Sequence, residues 1–554
     1  MTQLTTRERG SKMLLLGNEA IVRGALEAGV GFVTTYPGTP ASEIGDAFAE
    51  IAPDAGIYFE YSVNEKVALE MAAAAAVSGV RALCAMKHVG LNVAADAFMS
   101  LAYTGVRAGL VIVSADDPSM HSSQNEQDNR YYAKLANIPM LEPADPQEAL
   151  EMVRHAFELS EKLELPVLLR TTTRVNHTRG IVKIGELPKT FTKAARFVKE
   201  PSRFVVVPAV ARQRHKVLIE RMGQARQLSE DSPFHMIIGK AQELGIVSSG
   251  VAFNYALDAV EELDLTKRIG ILKIGMTNPL PCTLCEAFLL SSERILVVEE
   301  LEPYLENELK VIVADLGIHR EILGKGSGHF PQLYEFTPDR VKRAIAELMG
   351  IAVEKPVAQT LPPLPARPPQ LCAGCPHRAT YYALKLALGD EFKNTIFTTD
   401  IGCYTLGLLP PLEMADYLLC MGSSIGTANG FTRATDQRVV ALVGDSTFFH
   451  AGIPALTNAV HGQHKFLLVI LDNRTTAMTG HQPHPGLEFS VTGHVPAVAI
   501  EDVLQGCGVR SIHILDPAGL QEAVDVFKEA LQESKEEIAV VISRHPCVLL
   551  RSGG

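Results

Sequence analysis

Short apolar runs alternate with longer amphipathic stretches along almost the whole chain. The apolar runs are rich in β-branched residues and lie, among other places, at residues 57–61, 109–115, 294–300, 438–444 and 465–471. The stretches between them, such as residues 66–77 and 146–162, repeat apolar positions with the 3.6-residue period of a helix. Strands that alternate with helices predict repeated βαβ units, and therefore an α/β fold with parallel sheets.

Two segments interrupt this alternation and divide the chain. Residues 351–370 contain six prolines and predict an extended spacer. Residues 189–226 carry ten Lys and Arg against two Glu, so the linker expected at 186–239 is strongly basic. A solvated linker surface explains this charge, and a docking strip for a polyanion or an acidic subunit explains it equally well.

At 554 residues the chain is too long for one hydrophobic core. Its net charge of −12 argues against nucleic acid or an anionic membrane as the main partner. No apolar stretch reaches the ~18 residues that a membrane-spanning helix needs, and the N-terminal sequence lacks the pattern of a signal peptide. We therefore expect a cytoplasmic protein with neither a nucleic-acid nor a membrane partner.

Polar residues follow two neighbouring apolar runs near the C-terminus, at Asp445 and at Asp472-Asn473. The carboxyl ends of parallel strands are where ligands bind in such sheets. Asp445, the Asn473 amide oxygen and a backbone carbonyl at Thr475 would suit Mg²⁺, which prefers oxygen ligands. Ser446 opens the following helix, whose free N–H groups favour a diphosphate. On composition alone, ordinary turn chemistry remains the simpler explanation.

The spacing of these residues favours the diphosphate site. Gly444-Asp445-Ser446, 25 residues and then Asp472-Asn473 resemble the motif of thiamine diphosphate enzymes, which reads Gly-Asp-Gly and later Asn-Asn. Ser446 and Asp472 depart from the motif, but neither departure removes a metal-ligand position. The resemblance therefore implies a site for thiamine diphosphate and Mg²⁺ at these residues.

A thiamine enzyme also needs a carboxylate against the aminopyrimidine ring, where it promotes loss of the thiazolium proton. Glu65 is the candidate, because it follows the run at 57–61 and opens an Ala-rich helix with Asn64 as a plausible N-cap. The alternative is that the helix dipole alone favours an acid at this position. Lys87 and His88 follow the next apolar run, and we expect His88 to line the substrate cleft.

Together these stretches are similar to the alpha subunit of indolepyruvate:ferredoxin oxidoreductase, in the 2-oxoacid:ferredoxin oxidoreductase superfamily. The resemblance spans nearly the whole chain and is carried by LLGNEAIVRGALEAGVGFVTTYPGTPASEI, MKHVGLNVAADAFM, LCAGCPHRATYYALK, DIGCYTLG and TTAMTGHQPHPG. It implies a multi-domain thiamine diphosphate-binding fold. The implied domains are a pyrimidine-binding thiamine domain at 11–185, a transketolase C-terminal-like domain at 240–350 and a diphosphate-binding thiamine domain at 371–550.

The resemblance also assigns residue roles at the substrate end. In the superfamily the activating Glu heads the helix that Glu65 heads here. The Thr of the Tyr-Pro-x-Thr-Pro turn, here Thr39, lies near the substrate carboxylate. The Arg that pyruvate enzymes use for that carboxylate has no evident match at 107–117, so the partner of the carboxylate stays open.

Four cysteines reproduce the contexts that hold one [4Fe–4S] cluster in related two-subunit enzymes, namely LCAGC, DIGC and RHPC. They are Cys372, Cys375, Cys403 and Cys547. Thiolates are the expected cluster ligands, whereas spacing alone would equally allow a zinc site or no metal at all. Because the sequence ends seven residues after Cys547, we expect no ferredoxin-like module in this chain and an electron acceptor outside it.

Two histidines follow the proposed diphosphate site, at His481 and His484 in the segment GHQPHPG. Pro483 makes a helical zinc pair unfavourable there, so substrate contacts or proton transfer are the preferred roles.

We expect oxidative decarboxylation of aryl 2-oxoacids, such as indolepyruvate or phenylpyruvate, to aryl-acetyl-CoA. The resemblance implies an α2β2 assembly with a smaller beta subunit, coenzyme A as acyl acceptor and an external electron acceptor. A non-oxidative 2-oxoacid decarboxylase and a non-catalytic cofactor-binding scaffold remain the alternatives.

Overall fold

The computed structural model describes residues 4–191, 195–353, 364–365 and 367–550. The chain forms two compact units, Met1–Ala358 and Gln359–Gly554. Most of the proline-rich linker expected at 351–370 lies outside the described residues. Within the described part of the chain, no helix has the length and apolar character needed to cross a membrane.

The first unit contains two sheets that are mostly parallel. Its strands are β1 (Lys12–Leu16), β2 (Phe32–Thr35), β3 (Tyr58–Tyr61), β4 (Ala82–Lys87), β5 (Leu110–Asp116), β6 (Met140–Leu141), β7 (Val167–Thr172), β8 (Arg179–Lys183), β9 (Met236–Ile238), β10 (Leu244–Ser248), β11 (Ile269–Lys273), β12 (Met276–Asn278), β13 (Arg294–Val298) and β14 (Glu321–Leu323). The larger sheet has the order β12-β6-β7-β5-β4-β2-β3, and only β12 runs antiparallel to its neighbour. The smaller sheet has the order β14-β13-β10-β11-β9, with β9 antiparallel, while β1 and β8 pair separately. The predicted parallel α/β architecture is confirmed in this unit.

Helices connect these strands, as the alternating pattern predicted. They are α1 (Gly17–Glu27), α2 (Ser42–Ala55), α3 (Glu65–Val77), α4 (His88–Val93), α5 (Ala95–Thr104), α6 (Arg130–Ala136), α7 (Pro146–Leu163), α8 (Thr173–His177), α9 (Pro201–Phe204), α10 (Pro208–Glu230), α11 (Gly250–Glu262), α12 (Cys282–Leu290), α13 (Tyr304–Asp315) and α14 (Pro338–Leu348). In α3 the fully buried Ala68, Ala72 and Ala76 recur every four residues, so their small side chains form one face of the helix. That face lets α3 lie close to the sheet.

The segment expected as a basic linker, residues 186–239, contains the longest described helix, α10. Several arginines of the segment 186–239 bond to other residues of the first unit. Arg203 and Arg214 donate to the carbonyl oxygen of Thr104 at the end of α5, over 3.1 and 3.3 Å, and Arg221 pairs with Glu164. Much of this positive charge therefore satisfies carbonyls and an acid of the first unit, as cations do at helix C-termini.

A buried ion-pair network ties the segment 11–185 to the segment 240–350 within the first unit. Arg130 lies 2.6 Å from Asp128 and 2.7 Å from Glu299, and Arg170 lies 2.8 Å from Asp116. Burial raises the pKa of Asp116 to about 7, against the opposing effect of Arg170. β12 makes the same connection, because it belongs to the later segment but completes the larger sheet of the earlier one.

The second unit is built on a five-stranded, fully parallel sheet in the order β15-β16-β17-β21-β20. Its strands are β15 (Ile396–Thr398), β16 (Val439–Gly444), β17 (Leu467–Asp472), β18 (Phe489–Ser490), β19 (Gly493–His494), β20 (Ser511–Leu515) and β21 (Ala539–Arg544). Its helices are α15 (Pro376–Leu388), α16 (Ser423–Ala434), α17 (Asp445–Thr447), α18 (Ile453–His461), α19 (Ile500–Gly506) and α20 (Leu520–Glu533). A wider π turn at Phe448–Gly452 connects α17 to α18, and such turns often occur at functional sites. Every residue of β16 and β17 is buried, which explains why both runs are continuously apolar.

Candidate active site

The two predicted diphosphate-site residues of the second unit lie at the same edge of its sheet. β16 and β17 are adjacent and parallel, with Gly444 opposite Leu471. Asp445 directly follows β16, and Asn473 directly follows β17. Both side chains are buried, with exposures of 3% for Asp445 and 7% for Asn473. The sheet register therefore brings together the carboxylate and the amide that the spacing had suggested.

Hydrogen bonds hold the Asp445 carboxylate from three directions. Oδ1 accepts from the backbone N–H of Ser446 at 2.8 Å, and Oδ2 accepts from that of Arg474 at 2.9 Å. The Nε2 of His484 lies 3.1 Å from the same Oδ2. Burial works to raise the pKa of Asp445, but His484 and the Ser446 N–H outweigh it and lower that pKa. Asp445 is therefore held as the carboxylate that a hard cation needs.

Asn473 is held on both ends of its amide. Its Nδ2 lies 3.4 Å from Nε2 of His377, and its Oδ1 accepts from the N–H of Thr475 at 3.3 Å. Burial lowers the pKa of His377 to about 4, so the ring is neutral, and its tautomer with the proton on Nδ1 accepts the amide proton at Nε2. The backbone N–H of Thr475 can only donate, so its contact fixes which end of the Asn473 amide is oxygen. His377, which follows the cysteine pair at the start of α15, was not predicted as a site residue.

Asp472, a departure from the thiamine motif, has its own partner. Its Oδ2 accepts from Nε of Arg544 at 2.6 Å, and Arg544 pairs further with Glu501. Burial, followed by the neighbouring charge of Asp445, raises the pKa of Asp472. Asp472 thus anchors the end of β21 beside β17. Arg544 and Glu501 were not singled out in the sequence, because only the adjacency of β17 and β21 brings them here.

Gly444 and Ser446 are explained by their neighbours. A Cβ on Gly444 would lie 2.6 Å from Cε1 of Tyr404, so the ring excludes any side chain. The Tyr404 hydroxyl bonds to Asp400 and lies 3.2 Å from Oγ1 of Thr447, and burial raises the pKa of Asp400 to about 6. Ser446, where the motif has glycine, accepts from Oγ1 of Thr476 at 3.0 Å. Its hydroxyl thereby connects the first turn of the helix to the loop after β17.

The two predicted histidines have different surroundings. His484 is 8% exposed and contacts Asp445. His481 has a left-handed backbone conformation, with φ of 67°, and its N–H donates to the carbonyl of Thr476 at 3.0 Å. The Nδ1 of His481 is buried and has no hydrogen-bond partner among the described residues. Of the two, His481 is the one with a nitrogen left for a ligand.

The four predicted cluster cysteines belong to one corner of the second unit. The Cys372–Cys375 turn is closed by a backbone bond of 3.2 Å, and a Cβ on Gly374 would lie 3.6 Å from the side chain of Val548, the residue after Cys547. Burial, and then the charges of Cys375, Cys547 and Cys372, raise the pKa of Cys403 to about 11. All four thiols are free. Over the described residues, no three His, Cys, Asp or Glu side chains are arranged to hold a metal ion.

The cysteine corner is bonded directly to the predicted diphosphate-site residues. The N–H of Cys547 donates to the carbonyl of Asn473 at 3.0 Å, and that of His545 donates to the carbonyl of Asp472 at 3.0 Å. Both contacts follow from the pairing of β17 with β21. The sequence did not predict this connection, because more than 70 residues separate the bonded partners.

In the first unit, Glu65 heads α3 and is 7% exposed. The predicted N-cap is confirmed, because the Asn64 side chain accepts from the N–H of Val67 at 2.9 Å. A Cβ on Gly90 would lie 2.6 Å from both Cγ and Oε1 of Glu65. The Glu65 side chain therefore lies directly over the backbone of α4, at a position where only glycine leaves room.

Thr39 and Lys87 lie at the carboxyl edge of the larger sheet in the first unit. The Thr39 carbonyl accepts from the Ser122 hydroxyl at 3.2 Å, and Nζ of Lys87 donates to the Ser122 carbonyl at 2.5 Å. A Cβ on Gly38 would lie 3.0 Å from Cβ of Lys87, so the lysine lies against the Thr39 turn. Burial lowers the pKa of Lys87 to about 8, although the charge of Asp117 works to raise it.

His88 is completely buried beside Lys87. Its Nε2 lies 3.2 Å from Oδ1 of Asn125, while no described residue bonds its buried Nδ1. Burial, followed by the charge of Lys87, lowers the pKa of His88 to about 4. The ring is therefore neutral at physiological pH and has an unused acceptor nitrogen.

Both units contain segments that match known protein families. Residues 23–225 match the family described as "Pyruvate flavodoxin/ferredoxin oxidoreductase, thiamine diP-bdg". Residues 400–543 match the family described as "Thiamine pyrophosphate enzyme, C-terminal TPP binding domain". The expectation of two thiamine-binding domains is confirmed by these matches.

Among curated proteins, the chain is 54% identical to "Indolepyruvate oxidoreductase subunit IorA" of Methanothermobacter marburgensis, over 98% of this chain and 88% of that one. The chain belongs to this family. A member from Pyrococcus abyssi is 46% identical over 98% of this chain and 87% of its own length. As an IorA-family protein, the chain is an oxidoreductase subunit, and the family name marks it as part of a larger assembly.

The chain is also similar to one solved structure, "2-oxoglutarate:ferredoxin oxidoreductase from Magnetococcus marinus with 2-oxoglutarate, coenzyme A and succinyl-CoA bound". It is 15% identical to the IorA-family chain, with a TM-score of 0.49 over 62% of this chain and 66% of that one.

Proposed function

We propose that the chain is the thiamine diphosphate- and magnesium-dependent subunit of an enzyme that oxidatively decarboxylates aryl 2-oxoacids, indolepyruvate or phenylpyruvate, to aryl-acetyl-CoA. The observation that carries the proposal is the pairing of buried Asp445 and Asn473 at the ends of adjacent parallel strands. These strands lie inside the segment that matches a thiamine pyrophosphate-binding family. An IorA-family relative that is 54% identical is named for indolepyruvate.

The residues present fit a magnesium–diphosphate site. Asp445 contributes a carboxylate held in its charged form, Asn473 an amide oxygen that the Thr475 N–H orients, and Thr475 a backbone carbonyl. All are hard oxygen donors, which Mg²⁺ prefers while keeping positions for phosphate oxygens and water. Ser446 and Thr447 are the first residues after Asp445 in the helix, where N–H groups attract anions.

Thiamine diphosphate supplies, when bound, the carbon nucleophile and the electron sink for loss of CO₂ from a 2-oxoacid. Glu65 would exchange a proton with the aminopyrimidine ring, and the absence of a side chain at Gly90 leaves room for its carboxylate where the structure places it. His481 would contact the substrate through its unused Nδ1.

The substrate carboxylate would be bound near Thr39. We infer that Lys87 supplies the positive charge for which the sequence offered no arginine. Its aliphatic stem lies against the Thr39 turn, and its ammonium bonds Ser122, whose hydroxyl donates to the Thr39 carbonyl. The Lys87 ammonium has three N–H donors, and the Ser122 carbonyl accepts only one of them at short range. His88, neutral and with a free Nδ1, would line the substrate cleft beside Lys87.

Cys372, Cys375, Cys403 and Cys547 would hold one [4Fe–4S] cluster. Four free thiols within electrostatic range of one another, and the contact between the two cysteine turns, support this assignment. A cubane cluster takes one thiolate at each iron, so its ligands surround the cluster and do not converge on one ion. Electrons would leave through this corner to an external acceptor.

The proposed assembly is α2β2, with a smaller beta subunit, in the cytoplasm. Coenzyme A would accept the acyl group. The exposed cations of the 189–226 strip, such as Lys216 and Arg226, would contact the beta subunit or coenzyme A.

The test is anaerobic purification with the beta subunit, followed by measurement of bound thiamine diphosphate, Mg²⁺ and iron. Indolepyruvate- and coenzyme A-dependent reduction of a viologen dye should be abolished in Glu65→Gln, and cofactor binding should be retained. Glu70→Gln is the matched control, because Glu70 is an exposed acid on the same helix. Aldehyde formation without dye reduction would indicate a non-oxidative decarboxylase, and cofactor binding without either product would indicate a scaffold.

A further inference from the structure

The ring of His484 has a defined hydrogen-bonding state. The backbone N–H of Gly486 donates to its Nδ1 at 3.1 Å. A nitrogen that accepts a hydrogen bond carries no proton, so in the neutral ring the proton is on Nε2. That Nε2 lies 3.1 Å from Oδ2 of Asp445. His484 is therefore an N–H donor to Asp445, and both of its ring nitrogens are engaged.

The position of the ring is fixed by packing as well. The His484 ring lies 5.9 Å from the ring of Phe449, inclined by 30°. A Cβ on Gly486 would lie 3.0 Å from Cε1 of His484 and from Cε2 of Phe449. A side chain at 486 would push on both rings, and only glycine leaves them where they are. Phe449 belongs to the π turn that follows Asp445, so the ring, the turn and the carboxylate form one packed unit.

This arrangement does not suit proton transfer to a substrate. A general base needs a nitrogen within reach of the proton that it removes, and both nitrogens of His484 already have partners. It does suit a group that orients a metal ligand. Oδ2 of Asp445 receives two donors, Arg474 N–H and His484 Nε2–H, which leaves Oδ1 as the oxygen better placed to face a cation.

We propose that His484 is a positioning residue, which fixes the rotamer of the Asp445 carboxylate and thereby sets the affinity for Mg²⁺ and for thiamine diphosphate. The inference rests on the proposed function, since it requires Asp445 to be a magnesium ligand. It assigns His484 a role different from the catalytic one expected from the sequence. Residues that hydrogen-bond to metal ligands typically contribute 10–100-fold to metal affinity, and we expect an effect of about that size here.

The experiment compares three variants of the assembled complex after removal of metal and cofactor. Calorimetric titration with thiamine diphosphate at a series of Mg²⁺ concentrations gives the apparent affinity of each. His484→Gln places an amide N–H near the position of Nε2 and should bind within a few-fold of wild type. His484→Asn is too short to reach Asp445, and it should need about 10–100-fold more Mg²⁺. The control is His461→Asn, at an exposed histidine that ends α18.

The Gln–Asn comparison separates positioning from a packing role, because both amides replace the ring and only one retains the hydrogen bond. Equal weakening of both variants would overturn the proposal, and so would wild-type Mg²⁺ affinity in His484→Asn together with slow turnover. Calorimetry also reports the fraction of binding-competent protein, so a poorly folded variant is recognised by its stoichiometry. If wild-type complex binds no thiamine diphosphate at any Mg²⁺ concentration, the proposed function itself is wrong.

Discussion

Replacing Gly90 with alanine tests whether Glu65 must occupy its observed position. The added Cβ would lie 2.6 Å from both Cγ and Oε1 of Glu65, whereas carbon atoms pack at about 3.5–4.0 Å. The Glu65 side chain would therefore retreat by about 1 Å. A displacement of that size in a catalytic group costs on the order of 100-fold in rate, and overpacking costs about 1–3 kcal/mol of unfolding free energy.

The assay is indolepyruvate-dependent viologen reduction by the assembled complex, with thiamine diphosphate affinity measured in parallel. We expect kcat to fall about 100-fold while cofactor affinity changes little, because Glu65 would act on a proton and does not bind the diphosphate. The control is Gly223→Ala in α10, where an added Cβ meets nothing within 4 Å. Undiminished kcat in a folded Gly90→Ala complex would refute the assignment of Glu65.

Three further results are expected. Lys87→Met should raise KM for indolepyruvate. In wild type, KM should rise above pH about 8, where Lys87 loses its proton. If KM depended on pH in the same way in Lys87→Met as in wild type, the proposed contact between Lys87 and the carboxylate would be wrong. Gly444→Ala should lower stability by about 1–3 kcal/mol, because the Cβ would meet Tyr404 at 2.6 Å, and thermal denaturation checks this. Asp116 has a folded-state pKa of about 7 against an ordinary 3.8, so the folded state binds more protons between these values and stability should fall as pH rises from about 4 to about 7. Urea denaturation should show a shallower pH slope in Asp116→Asn, by up to ~1.4 kcal/mol per pH unit.

The sequence by itself determined the fold class and the ends of the important strands. Continuous apolar runs such as residues 466–471 are typical of strands buried on both faces, and Asp445 and Asn473 follow two such runs. The start of helix α3 at Glu65 could be predicted as well, because the Asn64 N-cap depends only on residues within one helical turn. These features are encoded in short windows of sequence and need no knowledge of distant neighbours.

Only the tertiary structure decided which side chains hold these residues in place. Arg544 meets Asp472, and His377 meets Asn473, across roughly 70 and 100 residues of chain. Hydrophobic periodicity reports which face of an element is buried, but not which strand is its neighbour. The connections through β17 and β21 therefore could not be read from the pattern.

The histidines and glycines show the same limit most clearly. The sequence predicted a catalytic role for His484, because it follows the cofactor motif. In the structure, its hydrogen bonds with Asp445 and Gly486 engage both ring nitrogens. Gly90 carried no signal in the sequence, and its meaning appears only where Glu65 lies on it. Local sequence determined which chemical groups are present at the sheet edges. Long-range packing determined their hydrogen-bonding state and orientation, because both depend on atoms contributed by elements far apart in the chain.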